Sequence, residues 1–104
     1  MASMTIDHPH ALPDDEARRR IETLGVYLVQ KHGLQVSWSG DRARVSGAVM
    51  GISFEAGLLL LPGSVRLEGR DPGFLWRRKV EEFLRRKLSL YLDPATPESA
   101  LPRT

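Results

Sequence analysis

The chain has 104 residues, of which 15 are lysine or arginine, 13 are aspartate or glutamate and none is cysteine. This length suits one compact domain, because two hydrophobic cores would each be too small. Without cysteine there is no disulfide framework, thiolate metal centre or cysteine nucleophile. The longest aliphatic run, 58–61, is far shorter than the roughly 20 residues of a membrane span, and no signal segment opens the chain. We therefore expect a soluble, cytoplasmic protein without a transmembrane segment.

Both ends of the chain have the composition of tails. Residues 1–5 show no periodic pattern, and residues 93–104 contain three prolines among small and polar residues. Such composition disfavours packed structure. We therefore expect a disordered N-terminus over 1–5, a single α+β domain over 6–92 and a disordered, proline-rich tail over 93–104.

Two segments have the pattern of amphipathic helices. The first begins near Pro13, carries three acidic residues in its first turn and ends at Gly33. Negative charge suits the N-terminus of a helix, and glycine commonly ends one. The second covers roughly 74–92 and is closed by a proline at 94. Its apolar residues share one face at about 100° per residue: Trp76, Val80, Phe83, Leu84, Leu88 and Tyr91.

The segment between the helices alternates between apolar and polar residues, as strands with one buried face do. Turn sequences such as 39–41 and 62–64 separate four strands. The pattern predicts a two-layer α+β fold, an antiparallel four-stranded meander flanked by an N-terminal and a C-terminal helix (α-β-β-β-β-α). The uncovered face should be wet or bind a polar partner, since it carries Gln35, Ser37, Arg42, Arg44, Ser53, Glu55, Arg66 and Glu68.

No residue pattern supports enzymatic chemistry. Gly47, Gly51 and Gly57 fit neither the dinucleotide-binding nor the P-loop spacing, and no Gly-x-Ser-x-Gly motif is present. His8 and His10 could contribute imidazole ligands, but a stable metal site needs three or four ligands and no second cluster is visible. We therefore predict a non-enzymatic protein with no catalytic residues, no metal and no cofactor.

Surplus apolar residues suggest an interaction surface. Four consecutive leucines cannot all point to one face of a sheet, and two apolar residues lie off the main stripe of the second helix. A homodimer interface or adhesion to a hydrophobic body would use them, whereas a curled strand that buries both faces is the alternative. The residues are Leu58, Leu59, Leu60, Leu61, Phe74 and Leu75.

The second helix is also basic, with candidate anion contacts at Arg77, Arg78, Arg85 and Arg86. Arginine and glutamate recur there at i,i+4 spacing, which is typical of a solvated helix face that supports itself. Nucleic-acid binding is therefore the less favoured alternative.

A second alternative is a small acyl or lipid ligand between the sheet and the second helix. The aromatic residues Trp38, Phe54 and Trp76 would line that position. A closed core is favoured instead, because a domain of this length has little apolar surface to spare for a cavity.

Short motifs follow one another along the chain: His10-x-Leu12, Glu16-Ala17-Arg18, Gly33-Leu34, Trp38-Ser39-Gly40-Asp41, Gly51-Ile52, Gly73-Phe74-Leu75 and Arg86-Lys87-Leu88. In this order they resemble the polyhydroxyalkanoic acid system family, small bacterial proteins whose genes lie near those for polyhydroxyalkanoate synthesis and granule proteins. The resemblance covers about residues 6–92, although this chain is a few residues longer between Gly51 and Val65.

The resemblance implies a setting, carbon-storage granules, and brings no catalytic residues. We expect an accessory protein of the polyhydroxyalkanoate system that acts by contacts with the granule surface or with granule and synthesis proteins. Its localisation would then be cytoplasmic and granule-associated.

Overall fold

The computed structural model describes residues 3–49, 51–70 and 73–104. The elements are strand β1 (Ser3–Pro9), helix α1 (Asp14–His32), strands β2 (Gln35–Ser39), β3 (Arg42–Val49), β4 (Ile52–Leu61) and β5 (Ser64–Arg70), and helix α2 (Phe74–Tyr91). A short 3₁₀ turn at Glu98–Ala100 follows.

The strands form one antiparallel sheet in the order β1-β5-β4-β3-β2. The predicted α+β class is confirmed, but the predicted number of four strands is wrong, since β1 adds a fifth strand beside β5. Residues 3–5, expected to be disordered, are its first residues. Met4 and Ile6 of β1 are buried, and Ile6 pairs with Leu67, a residue far away in the sequence. Because this pairing is non-local, the short alternation in β1 alone did not reveal it.

Helix α1 follows its sequence pattern closely. Its buried stripe includes Ala17, Ile21, Leu24 and Leu28, and its first turn contains the three acidic residues. Gly33 ends the helix in the left-handed conformation, with φ at 68°, and its N–H donates to the carbonyl oxygen of Val29. This geometry satisfies a carbonyl that the helix end would otherwise leave unpaired.

The leucine run at 58–61 continues strand β4 without interruption. Leu58 is buried and Leu60 packs against the core on the helix-covered face. Leu59 and Leu61 are half-buried, and Leu59 pairs with Arg42 and Arg66, which belong to the opposite face. Ten residues of regular strand therefore place successive leucines on alternate faces.

The C-terminal segment packs against the domain instead of forming the predicted disordered tail. Leu101 is buried at 4% exposure, and the Tyr91 hydroxyl donates to the carbonyl oxygen of Pro102. Arg19 of α1 also bonds Glu98 at 3.0 Å. The buried Leu101 and these two hydrogen bonds hold the segment against the helices despite its polar composition.

Candidate functional site

The sheet face opposite the helices, which we call the open face, is a groove of about 750 Å³ across β2 to β5. Paired residues of an antiparallel ladder project on the same side, so the pairing register places all the predicted polar residues together. One row of the open face crosses all five strands: Asp7, Arg66, Leu59, Arg42 and Ser39. The next row contains Thr5, Glu68, Gly57, Arg44 and Ser37. The prediction of a polar, uncovered face is confirmed.

Carboxylates on the open face pair with two of its arginines. Arg44 forms an ion pair with Glu55 on the neighbouring strand. Arg66 donates from Nε to the Asp7 carboxylate at 2.7 Å, and this hydrogen bond and charge raise the pKa of Arg66. Glu68 lies further from Arg66, at 4.0 Å. These contacts leave the walls of the groove close to neutral.

Two further arginines, Arg42 and Arg70, lie on the open face. Both are exposed and border the groove. Among residues 3–49, 51–70 and 73–104, no carboxylate forms an ion pair with either of them. The open face therefore carries two guanidinium groups that are available to a bound anion.

The N-terminal half of α2 forms a second surface. Leu75 is 72% exposed and Trp76 is 39% exposed, whereas Leu88 and Tyr91 in the same helix are fully buried. The prediction that Trp76 faces the core is therefore wrong. The reason is that α2 contacts the core from Val80 onward, so the apolar stripe continues beyond the surface that could cover it. The side chain of Phe74 lies outside the described part of the structure.

A small apolar gap of about 160 Å³ separates the sheet from α2. Phe54, Val80 and Leu84 line it, but the two tryptophans predicted to join Phe54 do not. Trp38 lies instead beneath the guanidinium of Arg18, at 5.2 Å from the ring centroid. Pockets for small ligands usually measure roughly 300–1,000 Å³, so this gap does not support the acyl-ligand alternative.

The arginines of α2 are partly engaged with glutamates. Arg78 bonds Glu82 at 3.1 Å and Arg85 bonds Glu81 at 3.0 Å, both at the i,i+4 spacing recognised in the sequence. Arg77 also has a partner, and Arg86 is exposed. The structure thus directs at least half of these side chains along the helix instead of toward a single strip of surface.

The two histidines near the N-terminus lie at the end of strand β1 and just after it. His10 accepts a hydrogen bond at Nδ1 from the backbone N–H of Leu12 at 3.1 Å. Burial lowers the pKa of His8, and the nearby charges of His10 and Arg85 lower it further. Among the described residues, no group of three or more histidine, aspartate or glutamate side chains could hold a metal ion.

An aromatic cluster at the end of α1 was not recognised in the sequence. The His32 ring contacts Tyr27 and Phe83 edge-on, with ring centroids 5.6 Å apart in each case. Lys87 lies over Tyr27 with its Nζ 4.3 Å from the ring centroid. These contacts join the C-terminal end of α1 to α2, and only the tertiary structure brings the four residues together.

A family model described as "Putative polyhydroxyalkanoic acid system protein" matches residues 4–93. The chain belongs to this family. The match covers both helices and, apart from Ser3, all five strands, so the open face and α2 both lie within the polyhydroxyalkanoic acid system domain. No curated protein and no solved structure gives a significant match. Within the described ranges, neither helix of this family member is long and apolar enough to span a membrane.

Proposed function

We propose that this member of the polyhydroxyalkanoic acid system family is a non-enzymatic accessory protein that binds the apolar surface of polyhydroxyalkanoate granules through the N-terminal half of α2. The observation that carries the proposal is the exposure of Leu75 and Trp76 on a helix whose C-terminal half is fixed in the core. Adjacent exposed apolar residues on a rigid element are typical of contact surfaces.

The energetics of α2 suit adhesion to an apolar polymer. Full burial of a leucine or a large aromatic side chain contributes about 1.5–3 kcal/mol, and a tryptophan ring can bury its body while its N–H stays in water. The helix also carries arginine and lysine beside these residues. Basic helices that expose Trp and Leu are used by interfacial proteins at apolar boundaries.

Burial of its C-terminal residues orders α2 before it binds a surface. Leu88 and Tyr91 are completely buried, so the backbone of α2 is already ordered before it meets a surface. The backbone of the helix then loses no further conformational entropy on binding, which lowers the free-energy cost of association. The family supplies the setting, and the open sheet face takes no part in this contact.

Co-sedimentation of the full chain with washed polyhydroxybutyrate particles tests the proposal. The unchanged protein should pellet with the particles, and the double variant Leu75→Ser, Trp76→Ser should stay in the supernatant. Val26→Ser, Val29→Ser is the matched control, since Val26 and Val29 are exposed aliphatic residues on α1 at 41% and 39%. The control should pellet like the unchanged protein.

Two results would contradict the proposal. One is an absence of the unchanged protein from the pellet; the other is equal binding by the α2 variant and the α1 control.

A mobility-shift assay at low salt tests the nucleic-acid alternative. Binding to nucleic acid through the arginines of α2 should weaken steeply as salt is added. These residues are Arg77, Arg78, Arg85 and Arg86.

A further inference from the structure

We propose that the open face is a binding site for an elongated small molecule with an anionic group, carboxylate or phosphate, at each end. Arg42 holds one end, Arg70 holds the other, and the uncharged middle of the ligand crosses Gly57. This site lies on the sheet face away from the helices and is separate from the α2 surface.

The distribution of charge defines two anion positions. Arg44 and Arg66 are paired with Glu55 and Asp7, respectively. Arg42 and Arg70 are exposed and have no carboxylate partner within the described residues. A guanidinium is a planar fork that matches a carboxylate or phosphate through two parallel hydrogen bonds. These two guanidinium groups therefore favour a ligand that carries two separate anionic groups.

The register places these arginines at opposite corners of the groove. Arg42 on β3 pairs with Leu59, whereas Arg70 on β5 follows Gly69, which pairs with Ala56. The two Cα positions are thus about four residues apart along β4 and two strand spacings apart across it. At roughly 3.4 Å per residue and 4.8 Å per strand, their separation is roughly 17 Å. Because side chains in strands stand roughly perpendicular to the sheet, a ligand that reaches both guanidinium groups must be elongated.

Gly57 lies midway between the two corners, and the fold does not require a glycine there. A Cβ at this position would meet only the carbonyl oxygen of Glu68, at 3.9 Å, an ordinary van der Waals contact. Its backbone is also outside the left-handed region that favours glycine. Glycine inside a strand is destabilising and marks a bulge, a tight bend or a close approach of another backbone or a ligand. The missing side chain leaves the floor of the 750 Å³ groove open.

The charge beside Gly57 restricts the middle of the ligand. Glu68 occupies the same row of the sheet as Gly57 and is exposed. Arg44 lies in the same row on the other side of Gly57, and its charge is offset by Glu55. The centre of the groove therefore offers an anionic group no unpaired cation and suits the uncharged middle of the ligand. This argues against a continuous polyanion such as single-stranded nucleic acid, which also prefers aromatic side chains for stacking.

Calorimetric titration of the full chain with dodecanedioate, dodecanoate and succinate tests the two-point contact. Dodecanedioate should bind at least about tenfold more tightly than dodecanoate, which has the same chain and one carboxylate, because it makes one more charged hydrogen-bond contact. Succinate is too short to reach both arginines and should bind weakly. Dodecane bisphosphate distinguishes the anion: tighter binding than dodecanedioate assigns phosphate, and weaker binding assigns carboxylate.

Variants locate the site. Arg42→Gln and Arg70→Gln should each weaken dodecanedioate binding about tenfold, and Gly57→Val should abolish it by filling the floor. Arg86→Gln, a change at an exposed arginine of α2, should leave affinity unchanged. Thermal melts monitor folding, and the two arginine variants decide the question if Gly57→Val does not fold. Equal affinity for dodecanoate and dodecanedioate, no effect of either arginine change, or no binding of any probe would overturn the proposal.

Discussion

The guanidinium of Arg20 donates hydrogen bonds to the backbone carbonyl oxygens of Tyr91 at 3.2 Å and of Asp93 at 3.1 Å. Its Nε also bonds Glu16 at 3.1 Å. At 3% exposure it is a charged side chain inside the core. The carbonyls at the C-terminal end of a helix carry partial negative charge and lack intrahelical partners. Arg20 therefore joins the first helix to the end of the last one.

Arg20→Met should lower the free energy of unfolding by about 3 kcal/mol, because the buried Tyr91 carbonyl and Glu16 lose this donor, whereas the Asp93 carbonyl keeps a hydrogen bond from the N–H of Thr96. Urea denaturation followed by circular dichroism measures this loss. Arg19→Met is the control, since Arg19 forms exposed ion pairs with Asp15 and Glu98. The control should barely move the unfolding midpoint; equal effects of the two changes would contradict the structural role given to Arg20.

Alanine should be harmful at Gly47 and harmless at Gly57. Gly47 has φ of 144°, and a Cβ there would lie 2.8 Å from Cδ2 of Leu34. We expect Gly47→Ala to cost about 1–3 kcal/mol of stability. Gly57→Ala meets only an ordinary contact and should be neutral or stabilise by up to about 1 kcal/mol. Chemical denaturation of both variants checks the contrast, and a large loss at Gly57 would show that the fold does need this glycine.

Leucine-to-alanine substitution should lower the stability of the protein strongly at one position and barely at another. Leu101→Ala removes a side chain that is 4% exposed and should cost about 2–5 kcal/mol, although it lies near the end of the chain. Leu75→Ala changes a side chain that is 72% exposed and should alter stability by less than about 0.5 kcal/mol. Thermal and urea unfolding provide the measurement. A negligible effect at Leu101 would mean that the C-terminal segment does not pack as described.

Acid should destabilise the protein through His8. Burial, His10 and Arg85 lower its pKa below the ordinary value of 6.5, so the folded state holds the neutral imidazole more strongly than the unfolded state does. As pH falls below about 6.5, the unfolded chain binds this proton first and the free energy of unfolding decreases. Urea midpoints at about pH 7.5 and about pH 5 measure the decrease, which should be smaller in His8→Gln. An unchanged decrease would assign the acid sensitivity to other groups.

Local patterns determined most of the secondary structure. The buried stripe of α1, its end at Gly33 and the polar face of the sheet all depend on residues a few positions apart, so periodicity and turn residues were sufficient to predict them. The family resemblance was likewise visible in short motifs. The resulting fold class is correct, and the polar open face follows from alternation alone.

Long-range contacts determined the structural features that local sequence patterns did not predict. The pairing of β1 with β5, the burial of Leu101 and the burial of Arg20 each join residues that are far apart in the chain. Trp76 continues a helical stripe, and only the extent of the surface beneath α2 determines that it is exposed. In the same way, Arg42 and Arg70 look like the other arginines in the sequence. Only in the folded sheet does Glu55, which lies beside Arg70, pair with Arg44 while Asp7 pairs with Arg66, because pairing and burial depend on which segments meet in space.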